Sequence, residues 1–158
     1  MHYGGSTGMA VLRRDGFVSF GSEGKKGSLT TCPVEFSGRC LFVNVDCPQG
    51  ELRVEVLDKD GNVIDGFSEI ECRPIKADST IHIVKWKGKK DLAALAGQPV
   101  RFRFHLTNGE LYAFWVSRDE NGASNGYNAA GGPGFKSGID NEGIKAYKKA
   151  EKYLNYNK

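Results

Sequence analysis

The sequence predicts an all-β domain, an antiparallel β-sandwich of the jelly-roll type, and three observations lead to this prediction. Apolar and polar residues alternate along several short segments, which is the period of a strand with one face in water. Turn signals separate these segments, and glycine contributes 21 of the 158 residues. The strands do not alternate with helical segments, so a parallel sheet built from crossover helices is not expected.

The clearest alternation lies in CLFVNVD (40–46), ELRVEVLD (51–58) and PVRFRFHL (99–106). Further strands are predicted at Ala10–Arg14, Phe17–Phe20, Ser28–Phe36, Thr80–Trp86 and Leu111–Ser117. The Asn108-Gly109 pair joins two of these strands, so it predicts a hairpin. Asp91–Pro99 predicts a short helical turn, with Asp91 as its cap and Gly97 at its end.

The chain is expected to divide into three parts: 1–9 as the end of a linker, 10–139 as the β-sandwich module, and 140–158 as a lysine-rich helical tail. Asn121–Gly138 contains six glycines in eighteen residues and predicts an irregular loop. Five lysines and three acids follow from Asp140 onward, so residues 1–139 carry 17 − 16 = +1. The spacing of Ile144, Tyr147 and Leu154 predicts a helix within Ile139–Tyr156. Whether it packs on the sandwich stays open, and a weakly ordered tail is favoured.

Several function classes are excluded by what the sequence lacks. The net charge of 22 − 19 = +3 is too small to predict a nucleic-acid partner. An apolar run long enough to span a membrane is absent, and the first ten residues do not resemble a signal peptide. The sequence also contains none of the motifs G-x-S-x-G, P-loop or HExxH, so we predict that the protein is not an enzyme.

The four cysteines, Cys32, Cys40, Cys47 and Cys72, form no C-x-x-C pair and therefore no zinc-type pattern. Buried thiols are the favoured prediction, and one disulfide is the alternative. No cofactor is predicted with certainty. Asp15, Asp58 and Asp60 are predicted as turn residues, although a structural calcium ion on loop oxygens stays open.

Candidate ligand-binding residues lie on the polar faces of the predicted strands. Arg101, Arg103 and His105 alternate with buried residues, and Arg53 and Glu55 lie on the polar face of another strand. Tyr112 and Trp115 fall on opposite faces of the strand after Asn108-Gly109, so one of them is expected beside His105. Together these are the predicted site: Arg53, Glu55, Arg101, Arg103, His105, Tyr112 and Trp115. The competing interpretation is a solvated face of cross-strand charge pairs. Trp86 is predicted to be core.

Several segments follow one pattern: LRRDGFVSF (12–20), LFVNVD (41–46), GELRVEVLDKDGNVIDGF (50–67), VKWKGKKDLAALAGQPVRFRFHLTNGELYAFWVS (84–117) and GYNAAGGPGF (126–135). This pattern resembles the C-terminal β-sandwich modules of bacterial glycosidase-like proteins, of the glycoside hydrolase family 32-like and related β-propeller type. The resemblance implies a non-catalytic carbohydrate-binding module, with a polysaccharide or oligosaccharide and an attached glycosidase domain as partners. It also implies a secreted or periplasmic parent protein. The alternative is a structural sandwich that stabilises the catalytic domain without binding sugar.

If Arg53, Arg101 and Arg103 cluster, the ligand is expected to be anionic, such as a sulfated or uronate-containing algal glycan. The physical reason is that the planar guanidinium group matches carboxylate and sulfate oxygens in pairs.

Overall fold

The computed structural model describes residues 4–8, 12–89, 91–128 and 134–154, and its regular structure consists mainly of two antiparallel β-sheets. Within these residues the strands are β1 Phe20–Ser22, β2 Gly27–Thr30, β3 Cys40–Asp46, β4 Glu51–Leu57, β5 Asp78–Ile83, β6 Arg101–Thr107 and β7 Gly109–Ser117. A 3-10 turn covers Ala93–Leu95, and the α-helix α1 covers Ile144–Leu154. The predicted all-β, sandwich-like architecture is confirmed.

Successive strands alternate between the two sheets. The strand order is β1-β7-β3-β5 in the first sheet and β2-β6-β4 in the second sheet, and every pair is antiparallel. The chain therefore crosses between the sheets after each strand. Strands that pair with each other are distant in sequence, so local turn signals alone cannot identify the partners.

The core lies between the sheets and follows the alternation seen in the sequence. The inward side chains of β4 and β6 are fully buried: Leu52, Val54, Val56, Phe102, Phe104 and Leu106. Facing them, β3 buries Leu41, Val43 and Val45. Burial of one such side chain stabilises the fold by about 1.5–3 kcal/mol, so these positions set which face of each strand is inward. Trp86 belongs to this core, as predicted, and its Nε1 donates to the Val54 carbonyl at 2.9 Å.

The prediction of a hairpin at Asn108-Gly109 is wrong in its pairing. The chain does reverse there, and Asn108 adopts the left-handed backbone with φ +46°. However, β6 pairs with β2 and β4, whereas β7 pairs with β1 and β3. The turn therefore carries the chain from one sheet to the other, and the two strands face each other across the core.

Several of the strands predicted near the N-terminus are shorter in the structure or absent from it. Leu12–Arg14 form no strand, while Ala10 and Val11 lie outside the described residues. The Arg13 side chain bonds to the first sheet instead, since its Nε donates to Asn44 at 2.7 Å. Of the predicted strands Phe17–Phe20 and Ser28–Phe36, only Phe20 and Ser28–Thr30 lie in β1 and β2.

The segment after β7 covers the outer face of the first sheet. Trp115 stacks on Phe42 at this face, with ring centroids 5.7 Å apart, and its Nε1 donates to the Gly122 carbonyl at 3.0 Å. Gly122 lies so close to Phe42 that a Cβ there would meet the ring at 2.8 Å. Residues 129–133 of the predicted glycine-rich loop lie outside the described residues.

The helix α1 packs on the sandwich, so the favoured expectation of a weakly ordered tail is wrong for the described part of this helix. Ala146 is fully buried, and the Tyr147 hydroxyl accepts a hydrogen bond from Arg14 at 2.5 Å. Residues 155–158 of the predicted tail lie outside the described residues. No helix in the described ranges is both long enough and apolar enough to cross a membrane.

All four cysteines are free thiols, so the alternative of a disulfide is wrong. Cys40, Cys47 and Cys72 are buried, as predicted. Cys32 is exposed, because it follows the short edge strand β2 and precedes Pro33 rather than lying inside a sheet.

Candidate ligand-binding face

The polar residues of β4 and β6 form one outward surface on the second sheet. The antiparallel register sets Arg53 opposite His105 and Glu55 opposite Arg103. Residues two apart on a strand share a face, so Arg101 projects to the same side as Arg103. The structure thus brings together five of the seven predicted site residues. We call Arg53, Glu55, Arg101, Arg103 and His105 the arginine face.

Two arginines of this face, Arg101 and Arg103, lie on the central strand β6. Their guanidinium groups form hydrogen bonds with the edge strand β2 and with the residue that follows it. Arg101 donates from Nη1 to the Thr31 carbonyl at 3.2 Å. Arg103 donates from Nε to the Thr30 hydroxyl at 3.1 Å. These contacts fix the direction of each side chain and reduce the entropy that would be lost on binding a ligand.

The third guanidinium, that of Arg53, is held from the side of β4. It donates from Nε to Glu51 at 2.5 Å and from Nη1 to the Cys72 carbonyl at 3.0 Å. In the part of the chain that the structure describes, the Nη2 groups of Arg53, Arg101 and Arg103 make no hydrogen bond. Each guanidinium therefore keeps donor capacity for an external acceptor.

The acidic part of the face centres on His105. Its Nε2 lies 3.1 Å from Glu55 Oε2 and 3.7 Å from Glu69 Oε2. Two cations flank the carboxylates: Arg103 Nη1 is 3.3 Å from Glu55 Oε2, and Lys26 Nζ is 2.5 Å from Glu69 Oε1. The side chains of Glu55 and His105 are only 12% and 13% exposed, so screening by water is weak there.

This environment sets the protonation state of Glu55. Burial by itself would raise the pKa of Glu55, but the neighbouring His105, the backbone amide of Glu69 and the charge of Arg103 together lower it below its ordinary value. Glu55 is therefore ionised at neutral pH and acts as an acceptor. The Arg103–Glu55 contact is also the kind of cross-strand charge pair that the competing interpretation describes.

Tyr112 and Trp115 do not belong to the arginine face. Both lie on β7, which is in the first sheet, so the expectation that one of them lies beside His105 is wrong. That expectation assumed that β7 pairs with β6. Trp115 packs on Phe42 under the C-terminal segment, and Tyr112 lies beneath the Arg13 guanidinium, 4.8 Å from its ring centroid.

Sequence reasoning missed Glu69 and Lys26, which complete the acidic part of the site. Glu69 lies in an irregular segment between Val63 and Ile75, two residues that make isolated bridges to β4. Lys26 lies in the turn between β1 and β2. Neither segment has an alternating pattern, and their closeness to His105 depends on how the strands assemble. No local signal in the sequence could have identified these two residues.

The turn aspartates behave as predicted from their turn positions. Asp58 Oδ1 accepts the backbone amides of Asp60 and Asn62, both at 2.9 Å. Hydrogen bonds from the Asn62 side chain and amide lower the pKa of Asp58. Asp15 adopts the left-handed backbone with φ +48°, as a residue in a tight turn does.

Two surface depressions lie away from the arginine face. The larger, about 530 Å³, is lined by polar and glycine residues of the β1 and β7 ends: Gly21, Ser22, Glu23, Asn108, Gly109 and Glu110. The other, about 440 Å³, is mainly apolar and is lined by Val18, Ser19, Phe20, Leu29, Leu111, Tyr112, Ala113 and Phe114. Tyr112 is the one predicted site residue that lines either of these two depressions.

Comparisons of this chain with models of known protein families, with curated proteins and with solved structures find no match.

Proposed function

We propose that this protein is a non-catalytic carbohydrate-binding module whose arginine face binds an anionic polysaccharide. The observation that carries the proposal is the shared orientation of Arg53, Arg101 and Arg103. All three guanidinium groups lie on one outward sheet face and keep Nη2 free of hydrogen bonds within the described residues. Such groups bind sulfate or carboxylate oxygens through paired, charge-assisted hydrogen bonds.

The chemistry of the face favours an anionic glycan over a neutral one. Modules that bind neutral sugars need aromatic rings against the apolar faces of the sugar. Apart from the buried Leu57, the outward positions of β2, β4 and β6 carry polar and charged residues, whereas the aromatic residues of these strands, Phe102 and Phe104, point inward. Charged groups that repeat along a polysaccharide can therefore meet guanidinium groups that repeat on the sheet.

The shape of the face supports a polymer as the ligand. Small-molecule sites are concave and enclose most of the ligand. The arginine face instead lies on the outward side of a sheet, where Arg101 and Arg103 are about 7 Å apart along one strand. A chain lying across the sheet contacts several such groups at once, and the weak individual contacts then add together.

We propose a non-catalytic role because the carboxylate of this face does not have the property that glycoside hydrolysis requires. Glycoside hydrolysis requires a general acid whose pKa is raised. The pKa of Glu55 is lowered, so this carboxylate does not suit proton donation.

Two finer points belong to the same proposal. We infer a jelly-roll sandwich, because strand orders of β1-β7-β3-β5 and β2-β6-β4 fit an eight-stranded jelly roll whose missing strand is replaced by 63–75 beside β4. We also propose that the parent protein is secreted or periplasmic. In it, the module would hold an attached glycosidase near its polysaccharide, as the resemblance of the sequence implies.

The proposal is tested with polymers that share a backbone but differ in charge. Affinity electrophoresis and calorimetry should show binding to dextran sulfate or polygalacturonate and none to uncharged dextran. The double variant Arg101→Ala/Arg103→Ala should weaken binding at least about tenfold, since a hydrogen bond to a charged group is worth about 1.5–3 kcal/mol.

The matched control is Arg118→Ala, which removes an exposed arginine just after β7 in the first sheet. It changes the net charge without touching the arginine face, so it should leave the affinity nearly unchanged. If Arg118→Ala lost as much affinity as a single substitution in the arginine face, the polymers would bind through the overall charge of the protein. The proposed site would then be wrong.

A structural role beside a catalytic domain is the second candidate. The observation that favours it is exposed apolar surface: Phe17 and Val18 are 82% and 77% exposed, and Val18 lines a mainly apolar depression together with Leu29. If every charged and neutral glycan fails to bind, and Val18→Ser reduces self-association of the chain, this role is favoured over glycan binding.

A further inference from the structure

Three potential metal ligands converge between the second sheet and the segment that borders β4. These are Nε2 of His105 and one carboxylate oxygen each from Glu55 and Glu69, and all three atoms lie within 4.8 Å of one another. His105 and Glu55 come from neighbouring strands, β6 and β4. Glu69 joins them from a part of the chain fourteen residues beyond Glu55, and its own backbone amide donates to Glu55 at 3.3 Å.

His105 Nε2 differs from the two carboxylate oxygens because it is buried without a hydrogen-bond partner among the described residues. It makes no well-directed hydrogen bond with any described residue, although it faces two carboxylates. A buried polar atom without a partner costs free energy, about 1–3 kcal/mol. A cation bound by Nε2 and by one oxygen of each carboxylate would give this nitrogen a partner.

We propose that Glu55, Glu69 and His105 form a binding site for one divalent transition-metal ion of the zinc class. Zinc binds imidazole nitrogen and carboxylate oxygen at about 2.0–2.2 Å, so two ligands in tetrahedral geometry are about 3.3 Å apart. The distances from His105 Nε2 to Glu55 and Glu69, 3.1 and 3.7 Å, lie on either side of this value. The convergence is therefore close to what one ion requires.

The donor set also selects the class of ion. Calcium takes six to eight oxygen ligands, whereas imidazole suits zinc, copper, iron and nickel. The site offers one nitrogen and two carboxylate oxygens, and it leaves a coordination position for water or a ligand oxygen. This donor set suits zinc and the other transition metals better than calcium. The flanking Lys26 and Arg103 reduce the negative charge of the site, so we expect moderate rather than very tight binding.

This inference goes beyond glycan binding and does not depend on it, because the ion is held without Arg53, Arg101 or Arg103. The test uses the full chain with Cys32→Ser, so that the exposed thiol does not bind metal. After removal of metal with a chelator, zinc is titrated by calorimetry and cobalt by visible absorption. One ion should bind per chain, and the unfolding temperature should rise with ion concentration.

Glu69→Gln and His105→Gln should each weaken zinc binding at least about tenfold, since even residues that only support ligands change affinity by about 10–100-fold. His82→Gln is the matched control, because His82 lies on β5 in the other sheet and should leave binding unchanged. Circular dichroism shows whether each variant is folded. Glu69 is 27% exposed and lies outside the regular strands, so its substitution tests the site with little risk to folding.

The proposal is overturned if no saturable binding of zinc or cobalt is seen. It is also overturned if Glu69→Gln and His105→Gln bind as well as the parent chain, or if excess calcium displaces cobalt.

Discussion

Asp140 is a fully buried carboxylate that connects the two ends of the described chain. Its Oδ2 accepts from Arg14 at 2.7 Å and from the Ser124 amide at 3.1 Å, and its Oδ1 accepts the Gly143 amide at 2.8 Å. Burial alone would raise the pKa of Asp140, but Arg14 and the amides of Gly143 and Ser124 lower it. The charged form is therefore the one that the folded structure stabilises.

We predict that Asp140→Asn lowers the free energy of unfolding by about 3 kcal/mol at pH 7, because it leaves the buried charge of Arg14 without its partner. The pKa is depressed in the folded state, so the contribution of Asp140 is present above its unfolded value, about 3.9, and is lost as pH falls through the folded value. Urea unfolding should show the difference between parent and variant at pH 7 and a smaller difference below about pH 4.

The control for this prediction is Asp65→Asn, which changes a carboxylate whose side chain is fully exposed. Little change is expected at any pH, because exposed ion pairs contribute little. If Asp140→Asn were as stable as Asp65→Asn, the Arg14–Asp140 pair would not hold the C-terminal segment.

At the scale of elements, the turn between β6 and β7 decides how the sandwich is connected. Gly109 begins β7 and lies against the end of β3, where a Cβ would be only 2.5 Å from the Asp46 carbonyl oxygen and from Cys47 Cβ. The Asn108-Gly109 signal predicted a reversal of the chain, and a reversal is present. Which sheet the next strand enters depends on contacts with β3, which lies more than sixty residues earlier in the sequence.

Gly109→Ala is therefore expected to lower the free energy of unfolding by about 1–3 kcal/mol, the usual cost of forcing extra atoms into a packed site. Gly21→Ala is the control on the adjacent strand β1, where a Cβ would lie 4.0 Å from Glu110 Cγ, its nearest neighbour outside the adjoining residues. It should be neutral or slightly stabilising, because alanine restricts the unfolded chain. Chemical denaturation of both variants measures the difference, and equal effects would contradict this account of the turn.

At the scale of the whole molecule, the two outward faces of the sandwich differ. The first sheet is covered by the C-terminal segment, which packs on Phe42 and Trp115. The second sheet presents the arginine face. The stability of the molecule comes from packing rather than from cross-links, because all four cysteines are free and three are buried.

This arrangement predicts how the thiols react. Burial raises the pKa of the Cys72 thiol to about 11, and it also raises the pKa values of Cys40 and Cys47. Since the thiolate is the reactive form, these three should react with Ellman's reagent only when the chain unfolds, whereas Cys32 should react in the folded state. One fast thiol in buffer and four in urea are expected. The variant Cys32→Ser should show no fast thiol, and a second fast thiol in the parent would contradict the fold.

The arginine face was partly predictable. The alternation of Arg101, Arg103 and His105 with Phe102 and Phe104 identified the polar side of β6, because a period of two is a local property of a strand. The pairing of β4 with β6 places Arg53 and Glu55, on the polar face of another predicted strand, on the same surface. Tyr112 and Trp115 were placed wrongly, because their position depends on which sheet β7 joins.

Local sequence patterns were enough to predict an all-β sandwich, the positions of its strongest strands and which of their faces are buried. These properties follow from hydrophobic alternation and turn residues, which act over a few residues. Such patterns do not specify that β6 and β7 lie in different sheets or that the C-terminal segment covers Trp115. Nor do they place Glu69 and Lys26 beside His105. Those contacts join residues far apart in the chain, and their free energy arises only when the two sheets assemble.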